Sequence, residues 1–135
     1  MLRVFTCIVH EHDLRLVLVA GLICLLATFT AFATFERARA ATRRRGLWIA
    51  LAAFVSGTGI WSTHFVAMLA FQPDLPIGYD LDLTLLSIAA AIVISGCGWQ
   101  LALRRGRIAP VAAGVAIGLG IGTMHYVGMA AVNLA

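Results

Sequence analysis

Two histidine–methionine pairs are the residues of this sequence best suited to chemistry. His64 and Met68 stand four residues apart, as do His125 and Met129. Four residues of α-helix turn through about 400°, so each pair projects from one face. A neutral imidazole nitrogen with a thioether is a soft donor set, and thioethers select Cu(I) over Mg²⁺ or Ca²⁺. Two helices with one pair each could supply an N₂S₂ site for copper. Neither motif holds a carboxylate, which argues against hydrolytic metal chemistry. Met124 precedes His125 but points about 120° away from the shared face. Thr63 holds the matching position in the other copy, so Met124 is a weaker candidate ligand.

The pairs belong to a longer repeat. Gly57-Thr-Gly-Ile-Trp-Ser-Thr-His-Phe-Val-Ala-Met-Leu-Ala70 aligns without gaps to Gly118-Leu-Gly-Ile-Gly-Thr-Met-His-Tyr-Val-Gly-Met-Ala-Ala131. Upstream, His12-Asp13-Leu14 resembles Tyr79-Asp80-Leu81. The unit is a pair of helices, with repeat one at about 12–71 and repeat two at about 79–134. They form a parallel repeat about an axis along the membrane normal. Ala53, Gly57, His64 and Met68 share one face, as do Gly114, Gly118, Gly122 and His125. Small residues let helices approach closely in lipid, so these are expected to be packed faces.

The elements that carry the pairs follow from composition. The chain has 135 residues, 61% hydrophobic and 12% charged, with mean hydropathy +0.96. An average soluble domain is about 25% charged, so a compact soluble core would lack polar cover. Abundant apolar material excludes disorder. Four stretches are long enough to cross a hydrocarbon core of about 30 Å: Leu14 to about Phe35, Leu47 to Phe71, about Leu81 to Leu103, and Ile108 to about Leu134. The fold class is an all-α membrane protein of four transmembrane helices in two repeated pairs.

Net charge is +4, and every basic residue is Arg. Arg37, Arg39, Arg43, Arg44 and Arg45 lie in the 36–46 loop, and Arg104, Arg105 and Arg107 in the 104–107 loop. The intervening loop carries Asp74 and Asp80 and no Arg. The positive-inside rule makes both Arg loops cytoplasmic and puts both termini outside, in a multi-pass protein of a cell inner membrane. Arginines divided between apolar spans are topology signals, and no nucleic-acid partner is expected. Topology also explains them without anionic-lipid recognition. Ala31-Phe32-Ala33 looks like a signal-peptide cleavage site, but the five arginines beyond it favour a retained helix.

The remaining motifs carry less. Cys7, Cys24 and Cys97 form no close pair, and Cys24 and Cys97 read as small hydrophobes. His10 and His12 flank Glu11 and read as a solvated segment that could feed a metal. Trp48, Trp99 and Tyr79 form an aromatic belt. Gly57-x-Gly59 and Gly118-x-Gly120-x-Gly122 lie inside spans and are not nucleotide loops. No nucleophile–base pair or acid pair is present, so no enzyme activity is expected. Two other readings of the histidines stay open: axial ligands of haem iron, or packing or proton-relay residues of a metal-free structural or transport bundle. An ionisable residue inside a membrane is costly and usually functional, and its duplication favours ligand binding.

The run Gly-Thr-Met124-His125-Tyr126-Val127-Gly-Met resembles the signature of the MHYT domain family, and Trp61-Ser-Thr-His64-Phe65-Val-Ala-Met68 resembles the family's other repeat copy. The resemblance spans essentially the whole chain, read as a single domain over 1–135. It implies a bacterial integral membrane sensor of oxygen, CO or NO acting through a bound metal, copper foremost. Its proposed ligands fall on His64, Met68, His125 and Met129, and more weakly on Met124. Such domains often precede cyclic-di-GMP enzymes or histidine kinases, which makes these the implied cytoplasmic partners. Val127 stands where the family has Thr. The family domain carries three helix pairs and two are found here. That implies an incomplete domain, or one completed by self-association.

Overall fold

Asp13 and Asp80 start the first helix of each repeat. The structure, a computed structural model, describes Thr6, residues 13–70 and residues 77–134. Each aspartate caps the helix that follows, with its side chain accepting from the backbone N–H of Arg15 at 2.9 Å and of Leu83 at 3.1 Å. Such caps satisfy amide donors that a helix start leaves bare. Helix α1 runs Leu14–Ala40 and α2 runs Arg45–Ala70; α3 runs Leu81–Ala102 and α4 runs Ala109–Ala130. All four are long and apolar enough to cross a membrane. Pro110 lies in the first turn of α4, where its missing N–H costs nothing. Among the described residues the chain has four membrane-spanning helices in two pairs, the architecture of a multi-pass membrane protein.

The repeat seen in the sequence is also present in the contacts. The backbone N–H of Asp13 donates to Ala70 O at 2.9 Å, and that of Asp80 donates to Ala131 O at 2.7 Å. Ala70 and Ala131 are almost wholly buried, which leaves no room for a larger side chain at either position. A Cβ on Gly59 would collide with the Ala27 methyl, and one on Gly120 would stand 3.0 Å from Ile94 Cγ2. These are repeat-equivalent contacts, and the second pair adds one at Gly98, where a Cβ would collide with Ile117 Cγ1.

Neighbours in sequence are neighbours in space: α1 packs on α2, α2 on α3 and α3 on α4. The core lies toward the Arg-rich end, where Phe35, Ala38, Ile49, Ala52 and Trp99 are buried together. Trp99 is 5% exposed, so it is a core residue and not part of an interfacial belt. Its indole N–H donates to Ser56 Oγ at 3.0 Å, and its ring meets Phe32 and Phe35. A buried indole needs a partner for its N–H, and Ser56 on the neighbouring helix supplies one. Trp48 remains at the end of its helix, under the Arg37 guanidinium.

Two expected span ends change. The first span continues five residues beyond Phe35 to Ala40. The Arg45 guanidinium donates Nε–H to Ala38 O and Ala41 O, satisfying carbonyls at that helix end. The fourth span ends at Ala130 and not near Leu134. Val132–Leu134 instead forms a short antiparallel strand (β2) with Ile77–Tyr79 (β1), in the register Tyr79↔Val132 and Ile77↔Leu134. Helix α1 passes unbroken through Ala31-Phe32-Ala33, with Ala31 buried. Cys7, His10, Glu11, His12, Asp74 and the two prolines beside it lie outside the described residues.

Candidate metal centre

His64 and His125 meet. Their Nδ1 atoms stand 3.4 Å apart, and the rings touch edge to face with centroids 4.9 Å apart. Both lie in the half of their helix remote from the arginines. They come together because each sits six residues before the alanine that receives the aspartate N–H of its own repeat. The shared anchor sets them at matching depth. Helices α2 and α4 are diagonal, and their backbones approach over a short stretch only. The imidazoles bridge that diagonal.

His64 is the more enclosed of the two. Its Nε2 is buried and lacks a hydrogen-bond partner. A Cβ built on Gly128 would stand 3.2 Å from that nitrogen, so a glycine is what admits the ring. The sequence alignment pairs Gly128 with Ala67 and gave no hint of this role. His125 is exposed and its ring also contacts Tyr126 at 5.5 Å. Above the pair, Trp61 stacks on Phe65, and Phe65 leans on Tyr79 of β1.

Both histidines open onto a cavity of about 580 Å³ between α1 and α4, whose wall also carries Cys24, Thr28, Met124 and Gly118. Met124 is 1% exposed. Helical angle alone set this side chain apart from the His125 face. It reaches the cavity because α4 borders the space with an arc wider than one stripe. Met68 is half-buried and Met129 is 47% exposed, and neither lines this cavity. Among the described residues no three His, Cys, Asp or Glu side chains cluster as a harder donor set.

The expectation of two closely packed small-residue faces holds for α2 and fails for α4. A Cβ on Gly57 would stand 2.5 Å from Ile92 Cα, so α3 lies directly on that face. At Gly114, Gly118 and Gly122 a Cβ would meet nothing within 4 Å. Helix α4 packs through Ala113, Gly120 and Met124 instead. Gly114 and Gly118 face the cavity between α1 and α4, whereas α3 fills the matching space on α2.

A diagonal histidine pair in a duplicated membrane bundle defines a class, and sequence comparison agrees. The family profile described as the bacterial signalling protein N-terminal repeat, MHYT, matches residues 57–115 and again 118–135. The chain belongs to the MHYT family. A signalling protein of Caulobacter vibrioides is 44% identical over 131 residues, covering 96% of this chain and 16% of the relative. The cyclic di-GMP phosphodiesterase NbdA of Pseudomonas aeruginosa is 42% identical over 120 residues, covering 87% of this chain and 15% of the relative. The bifunctional diguanylate cyclase/cyclic di-GMP phosphodiesterase MucR of the same organism is 41% identical over 129 residues, covering 92% and 18%. The chain thus spans under a fifth of the length of these relatives. No solved structure matches it.

Proposed function

We propose that this chain is a membrane sensory module of bacterial cyclic di-GMP signalling that holds a copper ion between His64 and His125. The observation that carries the reading is the 3.4 Å separation of the two Nδ1 atoms. Two nitrogens bonded to one ion at about 2.0–2.1 Å in tetrahedral array stand about 3.3 Å apart. Met124, buried on the same cavity, adds a thioether to the donor set. Bound there, a soft ion supplies a coordination position for a diatomic gas such as oxygen, CO or NO. Edge-to-face contact leaves no slot for a porphyrin between the two rings, which favours an ion over haem. The names of NbdA and MucR supply the link to cyclic di-GMP. By the positive-inside rule the arginine loops face the cytoplasm, where an output partner would sit, and the histidines lie toward the outer face of the inner membrane.

Elemental analysis of the purified chain in lipid nanodiscs after copper loading tests the site. One copper per chain is expected for wild type, with loss in His64→Ala and His125→Ala. Met124→Leu should weaken binding more than Met68→Leu or Met129→Leu. Equal copper in wild type and both histidine variants rejects the site. A Soret band with extractable haem would replace copper by haem. An infrared spectrum of the loaded protein that carbon monoxide leaves unchanged removes the gas.

A further inference from the structure

The two arginine loops, one from each repeat, meet at one pocket. It has a volume of about 850 Å³, lies at the arginine end of the bundle and is bordered by all four helices and the turn between α3 and α4. Ligand pockets run about 300–1,000 Å³. Arg39 and Arg45 from the first repeat line it, with Arg104 and Arg105 from the second. The arginines are exposed while Phe35 and Trp99, on the same wall, are buried, so charge stands at the mouth and aromatic rings at the floor. Topology explains why both loops are basic. It does not require them to share a pocket, and Arg43, Arg44 and Arg107 do not line it.

Local structure holds the charges in place. Arg45 donates its Nε–H to Ala38 O at 3.3 Å and Ala41 O at 3.2 Å, which ties that guanidinium to the end of α1. Gly106, at φ +127°, turns the chain tightly after Arg104 and Arg105, a conformation that glycine adopts freely. Among the described residues only Arg39 of the four meets a carboxylate, that of Glu36 at 2.9 Å. Helix α4 begins on the same pocket at Pro110, with no side-chain cap and no acidic residue in its first turn. Uncapped amides at a helix start add to the attraction for an anion.

We propose that this pocket seats one anionic phospholipid, with its phosphate on the arginines and an acyl chain running inward. This goes beyond the sensory reading and does not depend on metal. Guanidinium groups pair with phosphate oxygens two at a time, and basic pockets between membrane helices lodge anionic headgroups. The path for the chain is a wall of Phe32, Trp99, Gly114 and Ile117, which this pocket shares with the cavity beside His64 and His125. A Cβ on Gly114 would meet nothing within 4 Å, so the glycine leaves width along that path. The apolar wall is what selects a lipid over a soluble phosphate, which would use the arginines and leave that wall without contact. Seated so, the lipid ties the first repeat to the second at the end remote from the histidines.

The test is native mass spectrometry of the full chain in dodecyl maltoside, delipidated and then titrated with phosphatidylglycerol or with phosphatidylcholine of the same acyl chains. One phosphatidylglycerol per chain is expected, held at least tenfold more tightly than phosphatidylcholine. Arg104→Gln with Arg105→Gln should abolish that preference. Arg43→Gln with Arg44→Gln makes the same charge change outside the pocket and should keep it. Gly114→Leu narrows the path of the chain and should weaken phosphatidylglycerol retention at least fivefold. Circular dichroism confirms folding of each variant. Glycerol 3-phosphate and cyclic di-GMP, phosphates without acyl chains, should not displace the lipid. Equal retention of the two lipids overturns the proposal, as does equal loss in the two arginine double variants, which would make the effect one of net charge. Retention untouched by Gly114→Leu overturns it by removing the chain from the pocket. Displacement by either soluble phosphate overturns it in favour of a soluble ligand.

Discussion

The same substitution at two matched glycines should have opposite consequences. Gly57→Ala places a Cβ 2.5–2.6 Å from Ile92 Cα, N and Cγ1. Carbon atoms rest about 3.5–4.0 Å apart. The obstruction is backbone, so no rotamer change relieves it, and α3 must withdraw by about 1 Å. Overpacking of this kind costs about 1–3 kcal/mol. The withdrawal also stretches the 3.0 Å Trp99–Ser56 hydrogen bond, worth about 0.5–1.5 kcal/mol. Replacing Gly by Ala inside a helix returns about 1 kcal/mol. The net expectation is about 1–3 kcal/mol of destabilisation. Gly118→Ala meets nothing within 4 Å, so only the propensity gain remains, and stability should hold or rise by up to about 1 kcal/mol. Reversible unfolding in mixed dodecyl maltoside/SDS micelles, followed by helical circular dichroism, measures both. Equal stability of Gly57→Ala and wild type would refute the account, as would equal loss in both variants. Either result would mean that α3 does not lie on the Gly57 face as described.

Three further outcomes are expected. Gly128→Leu thrusts a side chain at the His64 ring, whose Nε2 would stand 3.2 Å from the new Cβ; copper retained per chain should fall at least tenfold while helical content is unchanged. Trp99→Phe keeps the ring contacts with Phe32 and Phe35 but leaves Ser56 without its donor, and should cost about 1 kcal/mol in the same unfolding assay. Ser95 Oγ is buried without a partner, so Ser95→Ala should be neutral or stabilising by up to about 1 kcal/mol, and a clear loss of stability would show that this hydroxyl is engaged.

The amino-acid order by itself determined the solvent, the number of spans, the repeat and the histidine pair. Those follow from composition and spacing. A 61% hydrophobic chain has too little polar surface for water, and an exact recurrence of His and Ala positions fixes equivalent depth in equivalent helices. Membrane helices are legible because each satisfies its own backbone hydrogen bonds. Belonging to the MHYT family was readable for the same reason, from the two motif copies.

What only tertiary structure decided is which side of each helix meets which neighbour. Matched glycine faces on α2 and α4 read alike, yet α3 covers Gly57 while Gly118 lines the cavity between α1 and α4. Trp99 read as a belt residue and became the core, since Ser56, 43 positions away, supplies a partner for its N–H. Met124 read as turned aside, and Gly128 carried no signal. Their roles arise from a cavity wall and from a ring on another helix. Helical periodicity gives the angle of a side chain about its own axis, and the rotation of that axis against its neighbours is set by packing across all four helices.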